Sequence, residues 1–300
     1  MPRLREYAAT AAAATLLAGA AGLAGCGATE GSEHAAGPTS DPTIASTDAA
    51  AGRTGSATPS PSGSPSATDR APKPKRARPP LAGVTVGIDP GHNGLNHTAT
   101  DVITRQVWNG RTYEDCNTTG TATYAGYPES RFNFRVASFL ASELRSRGAR
   151  VVMTRTDDTG VGPCIDQRAR IINRAHADVA IDIHADGGPD SGRGFAILQP
   201  VPSGTNDAVV PASRRYAGIL RDSFRKTGMP TSTYDGVDGL TTRDDLAGLN
   251  LTTVPQVLLE AGNMRNAEDA AMLTSDAFQR KAAHQIAAAM TEFVRRSRDG

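Results

Sequence analysis

Between Gly27 and Pro80 the chain carries almost no bulky apolar side chain, Ile44 being the main exception, while Ser, Thr, Ala, Gly and Pro dominate. Such a segment cannot bury enough surface to offset the entropy lost on ordering it, so residues 27–80 are expected to be a disordered linker. Any core must therefore come from residues 81–300, a length suited to one domain of ordinary size. The many prolines stiffen the linker and give it a reach on the order of 100 Å when extended.

The first 26 residues read as an export signal. Arg3 and Arg5 form a basic start, Ala8 to Gly22 is small and apolar apart from Thr10 and Thr15, and Leu23-Ala24-Gly25-Cys26 closes the run. The run is too short and Ala-rich for a membrane span, which needs about 20 strongly apolar residues. The closing tetrapeptide resembles a bacterial lipobox, which implies lipidation of Cys26 and a membrane anchor; an ordinary cleaved signal that contains a cysteine is the alternative. Arg70, Lys73, Lys75, Arg76 and Arg78 end the linker. They are suited to attracting anionic wall polymers or lipid headgroups, or else form a solvated linker end. A net charge of +1 and a single Trp argue against nucleic-acid binding.

Within residues 81–300, strand and helix patterns alternate. Val84 to Ile88 is a β-rich run ending in Asp89-Pro90-Gly91-His92. A helix opens after Pro128, with Phe132, Val136, Phe139, Leu140 and Leu144 on one face, and stops at Gly148. Strands are expected at Arg150 to Met153, Val179 to Ile183, Phe195 to Leu198 and Gln256 to Leu259, and helices at Ile165 to Ala177, Ala212 to Thr227 and Ser275 to Arg296. This alternation predicts a single α/β domain with a mostly parallel central sheet flanked by helices.

Ligands of open parallel sheets collect beyond the carboxyl ends of the strands. His92 follows the first strand, His184 and Glu260 end later ones, and Glu129 stands in the first turn of the long helix, so four reactive groups can converge. Two imidazoles and a carboxylate suit a catalytic zinc with an open position, and a further carboxylate suits proton transfer. Singly, each has a structural alternative: a turn histidine, a core histidine, a first-turn acid favoured by the helix dipole, and a buried ion-pair partner. Spacing alone does not decide between them.

Val86 to Gly94, Glu129 with Asn133, Gly148 and Val151 to Arg155, Ala177 to Ala185, and Val254 to Asn263 resemble, in order, four blocks of the zinc-dependent N-acetylmuramoyl-L-alanine amidases, the amidase-3 family. The resemblance implies that His92, Glu129 and His184 bind Zn2+ and that Glu260 is the catalytic acid/base. It also implies hydrolysis of the amide between N-acetylmuramic acid and L-alanine in peptidoglycan. Asn93 stands where the family commonly has Gly, and Asp182 where Ser is frequent. Asp182 is expected to alternate away from His184 if the strand is regular. Asp89 either turns inward toward the site or simply forms the turn before Pro90.

The stretch from Asn96 to Tyr127 is polar, with little core of its own, and resembles an insertion of the actinobacterial members. Given export and a lipidated Cys26, Cys116 and Cys164 are expected to pair, two free thiols being the alternative. Asp235 to Leu249 is a candidate rim of the site. The expected protein is an exported, lipid-anchored monomer at the outer membrane face and cell wall. The alternatives are a zinc peptidase acting on stem peptides and a non-catalytic wall-binding lipoprotein.

Overall fold

The structure, a computed structural model, describes residues 78–299; the signal, Cys26 and nearly all of the linker lie outside the described residues. Along the chain run β1 (Thr85–Pro90), α1 (Thr100–Ile103), β2 (Gln106–Trp108), β3 (Tyr113–Asp115), α2 (Glu129–Ser146), β4 (Arg150–Met153), α3 (Ile165–Arg174) and β5 (Val179–Asp186). There follow β6 (Ala196–Pro200), α4 (Val210–Phe224), β7 (Leu240–Arg243), α5 (Ala247–Asn250), β8 (Gln256–Asn263), α6 (Ala267–Leu273) and α7 (Asp276–Asp299).

The main sheet has the order β4-β1-β5-β8-β6-β7, and its pairs are parallel except β6 with β8. The expected α/β architecture is thus present. Strand alternation sends Val86, Ile88, Val179, Ile181, Ile183, Val257 and Leu259 into one large core beneath α2, α4 and α7. The opposite face is more thinly covered. There Ala180 packs on Ile172 of α3, and Leu258 packs on Leu249 of α5 and Leu198 of β6. Beyond these small clusters the same face carries Asp89, Asp182, His184 and Glu260, and it is here that the sheet is left open.

α2 begins after an extended Pro128 and ends where Gly148 takes φ 92°, the left-handed conformation that stops a helix. Its face carries Phe132, Val136, Leu140 and Leu144 as expected, whereas Phe139 is only partly buried and packs under the Arg280 and Arg135 guanidinium groups. The Asn96–Tyr127 insertion forms a two-stranded hairpin of β2 and β3, which the sequence pattern did not predict. Cys116 and Cys164 are joined by a disulfide. Among the described residues, no helix is long and apolar enough to cross a membrane.

Candidate metal and catalytic site

β1 delivers its chain into Gly91 and His92 beyond the sheet edge, and His92 takes φ 59°. This left-handed conformation is strained for a residue with a side chain and needs support from its surroundings. Two buried arginines supply it. Arg168 donates to the carbonyls of Pro90 (2.8 Å) and His92 (2.7 Å), and Arg155 to those of Pro90 (2.8 Å) and Gly91 (3.2 Å). Asn93 ties the same turn to the Gly160–Gly162 loop, its Nδ2 donating to Gly162 O at 2.7 Å. The departure from Gly at this position therefore adds a brace.

His184 and Glu260 are not strand termini, as the sequence pattern suggested. β5 runs on to Asp186 and β8 to Asn263, with His184 and Glu260 paired in register and an irregularity immediately after His184. Glu129, in the first turn of α2, reaches both imidazoles. Its Oε2 lies 3.1 Å from His92 Nε2 and its Oε1 2.8 Å from His184 Nδ1. Donor atoms of the three residues all lie within 4.8 Å of one another.

The second nitrogen of each ring is also oriented. His92 Nδ1 sits 3.2 Å from the Thr118 carbonyl, which directs Nε2 toward Glu129. His184 Nε2 lies 3.2 Å from Asp182 Oδ1, close enough for charge pairing although not aligned as a hydrogen bond. The expectation that Asp182 alternates away from His184 is overturned, because residues two apart in a strand share a face. Asp89 does not reach the imidazoles. It is buried in an ion pair with Arg168 at 2.6 Å and accepts from the Thr154 hydroxyl, so it braces the loop from below.

Two glycines let the backbone approach these side chains. A Cβ on Gly91 would lie 2.2 Å from the His184 ring, and one on Gly120 would lie 2.7 Å from His92 Cδ2 and 2.8 Å from Glu129 Oε2. Gly91 lies in a motif singled out by the sequence. Thr118 and Gly120 lie in the Asn96–Tyr127 insertion, whose resemblance to the actinobacterial members carried no site role for them, and Arg168 gave no signal; these roles arise only when distant segments meet.

The carboxylates and imidazoles shift one another's charge. Burial acts to raise the Glu129 carboxyl, but the charge of His92 and hydrogen bonds from His184 and His92 hold it well below the ordinary value. Burial opposes protonation of His184, yet Asp182 and Glu129 hold it well above the usual imidazole range. Glu260 behaves differently: burial pushes its carboxyl well up, with Glu129, Asp186 and Asp182 adding to the shift and His184 opposing it. Its Oε2 is buried and makes no hydrogen bond, as expected of a group kept for an external partner. A cavity of about 420 Å³ opens here; the four residues line it together with Thr118, and Leu246 to Gly248 at its edge. Of the candidate rim, only that short piece, Leu246 to Gly248, lines the cavity.

Two imidazoles and one carboxylate make up a donor set that, with an unpaired glutamate adjacent, suits the metallohydrolase class, and the residues present fit a metal ion. The model of the N-acetylmuramoyl-L-alanine amidase family (Amidase_3) matches residues 86–292, and the chain belongs to that family. It is 40% identical over 215 residues to N-acetylmuramoyl-L-alanine amidase Rv3717 of Mycobacterium tuberculosis, covering 71% of this chain and 88% of that protein. Crystal structures of the amidase Ami1 from Mycobacterium smegmatis and Mycobacterium abscessus superpose with a TM-score of 0.68 each. Their identities are 39% and 42%, and they cover 72% and 71% of this chain and 99% and 100% of those chains.

Proposed function

We propose that this protein hydrolyses the amide joining N-acetylmuramic acid to L-alanine in peptidoglycan with a Zn2+ ion held by His92, Glu129 and His184, and with Glu260 as acid/base. The reaction follows from membership of the amidase family, and the substrate puts its work at the cell wall or outside the cell. The observation that carries the metal and residue roles is the convergence of three donor groups beside Glu260, whose Oε2 is buried and unpaired. When bound, zinc supplies Lewis acidity to the amide carbonyl and lowers the pKa of water. Glu260 takes the proton of the attacking water and passes it to the leaving nitrogen of L-alanine. Glu129 and Asp182 balance positive charge around the imidazoles, and Thr118 fixes the tautomer of His92.

The domain organisation we propose is a lipoprotein-type signal over 1–26, a linker over 27–80 and the catalytic domain over 81–300, acting as a monomer. The basic start, apolar run and Cys26 support an anchor at the outer membrane face, and the linker length supports a tethered domain.

Mass spectrometry of purified peptidoglycan after digestion tests the reaction. Stem peptides released with a free L-alanine amino terminus are expected, whereas cuts inside the stem would replace the amidase reading with a peptidase. Elemental analysis is expected to find one zinc per chain. Chelation should lower turnover at least 10²-fold and added Zn2+ should restore it; full activity in the metal-stripped protein would remove the metal from the mechanism.

A further inference from the structure

We infer that Arg155 is a positioning residue, its guanidinium holding the His92 turn and the Glu129 helix start in a single register. The inference rests on the ligand assignment proposed above. Arg155 closes the Val151–Arg155 block, contributes no atom to the donor set, and is only 5% exposed. Nε donates to Pro90 O (2.8 Å), and Nη2 to Gly91 O (3.2 Å) and Ser130 O (2.8 Å). Nη1 donates to Asp157 O (2.7 Å) and Asp158 Oδ1 (2.9 Å). Five hydrogen bonds use the five N–H donors of one planar group, and its face lies 5.0 Å from the Phe134 ring centroid.

The acceptors explain the purpose. Pro90 and Gly91 immediately precede His92, and Ser130 immediately follows Glu129, so Arg155 joins the backbones beside two metal ligands that are 37 residues apart by number (129 − 92). Arg168 braces the same turn, yet its bonds go to Asp89, Pro90, His92 and Pro163, with none to α2. Asn133 adds a weaker link, donating to Gly91 O at 3.2 Å and Glu129 Oε1 at 3.3 Å. Because His92 is held at a strained positive φ, loss of the Arg155 fork lets the turn relax away from Glu129. A lysine in this place keeps the charge but offers three donors from one point and cannot bridge both segments.

Zinc affinity, measured by competition with a chelating dye well below the melting temperature, tests this in Arg155→Lys and Asp158→Asn. Circular dichroism of the zinc-free proteins reports folding in parallel. Arg155→Lys is expected to bind zinc 10- to 100-fold more weakly than the wild type, the range for groups that orient ligands. Asp158→Asn, at a partly exposed side chain, is expected to lose several-fold in the same direction, on the order of one charge-assisted hydrogen bond. A folded Arg155→Lys protein with wild-type affinity overturns the inference, since a purely structural arginine would lower melting alone. If that variant does not fold, unchanged affinity in Asp158→Asn overturns it instead. A wild type that binds no zinc sinks the ligand assignment itself, a distinct result.

Discussion

Replacing Glu260 with Gln is expected to reduce kcat/KM by about 10²- to 10⁴-fold while leaving zinc bound, because the substitution removes a proton acceptor and nearly preserves shape. Glu260 lies outside the group of donor atoms formed by His92, Glu129 and His184, so metal content should not follow activity. Its buried, unbonded Oε2 has no structural partner to lose, so stability should change little or rise. Activity assays with elemental analysis of the same samples check both halves. Zinc loss from Glu260→Gln would make Glu260 a ligand, and near-normal turnover would remove it from the proton path.

The direction of the Glu260 shift also gives a pH signature. An acid/base that first accepts a proton must begin ionised, and activity falls as pH drops through its pKa. Burial, with Glu129, Asp186 and Asp182 nearby, moves that pKa above the ordinary glutamate value, while His184 and any bound cation act in the opposite direction. The acidic limb of kcat/KM is therefore expected above the usual glutamate range of about 4.3. It should be absent from the residual activity of Glu260→Gln. A limb unchanged in the variant would belong to another group, such as a histidine losing its metal.

The fold was legible where pattern and burial coincide. β4 has the limits that Arg150 to Met153 suggested, and Phe132, Val136, Leu140 and Leu144 of α2 face the core because their helical spacing puts them on one face. β8 and β5 extend past their apolar runs because the ladder continues through Glu260, Ala261, Gly262, His184 and Ala185, of which His184 and Glu260 face the cavity while Ala185 and Ala261 join the core. The β2–β3 hairpin was illegible, since three-residue strands such as Tyr113–Asp115 owe their form to cross-strand bonds and a nearby disulfide. In the site, the four reactive side chains were readable as ordered motifs in the chain. The contacts of their supports were not, because Arg168, and Thr118 and Gly120 in the resembling insertion, act through segments distant in sequence.

The double substitution Cys116→Ser/Cys164→Ser is expected to destabilise the domain by roughly 4 kcal/mol in the chain-entropy model, given the 48-residue separation that the bond closes. For a domain of this size that corresponds to a fall in Tm of roughly 8–16 °C. The loss should also reach the proposed metal site, because the segment after Cys116 covers His92 and Glu129. Thr118 O meets His92 Nδ1, the Thr121 amide donates to Glu129 Oε2 at 2.9 Å, and Gly120 leaves no room for a Cβ beside either side chain. Directly between the two cysteine segments two hydrogen bonds remain, Ile165 N to Cys116 O at 2.9 Å and Asn117 Nδ2 to Pro163 O at 3.0 Å, while Cys116 N to Arg105 O (2.7 Å), Asn117 N to Ile103 O (3.0 Å) and Asn96 Nδ2 to Thr118 O (2.8 Å) tie the strap to its other neighbours. Each contributes about 1 kcal/mol, less than the crosslink. Reduction of the wild type should therefore reproduce the variant, with weaker zinc binding appearing before global unfolding. Urea titration of the zinc-free proteins separates the terms. A difference below about 1 kcal/mol would mean that hydrogen bonds alone hold the strap, and a large loss of stability with unchanged zinc affinity would confine the disulfide to folding.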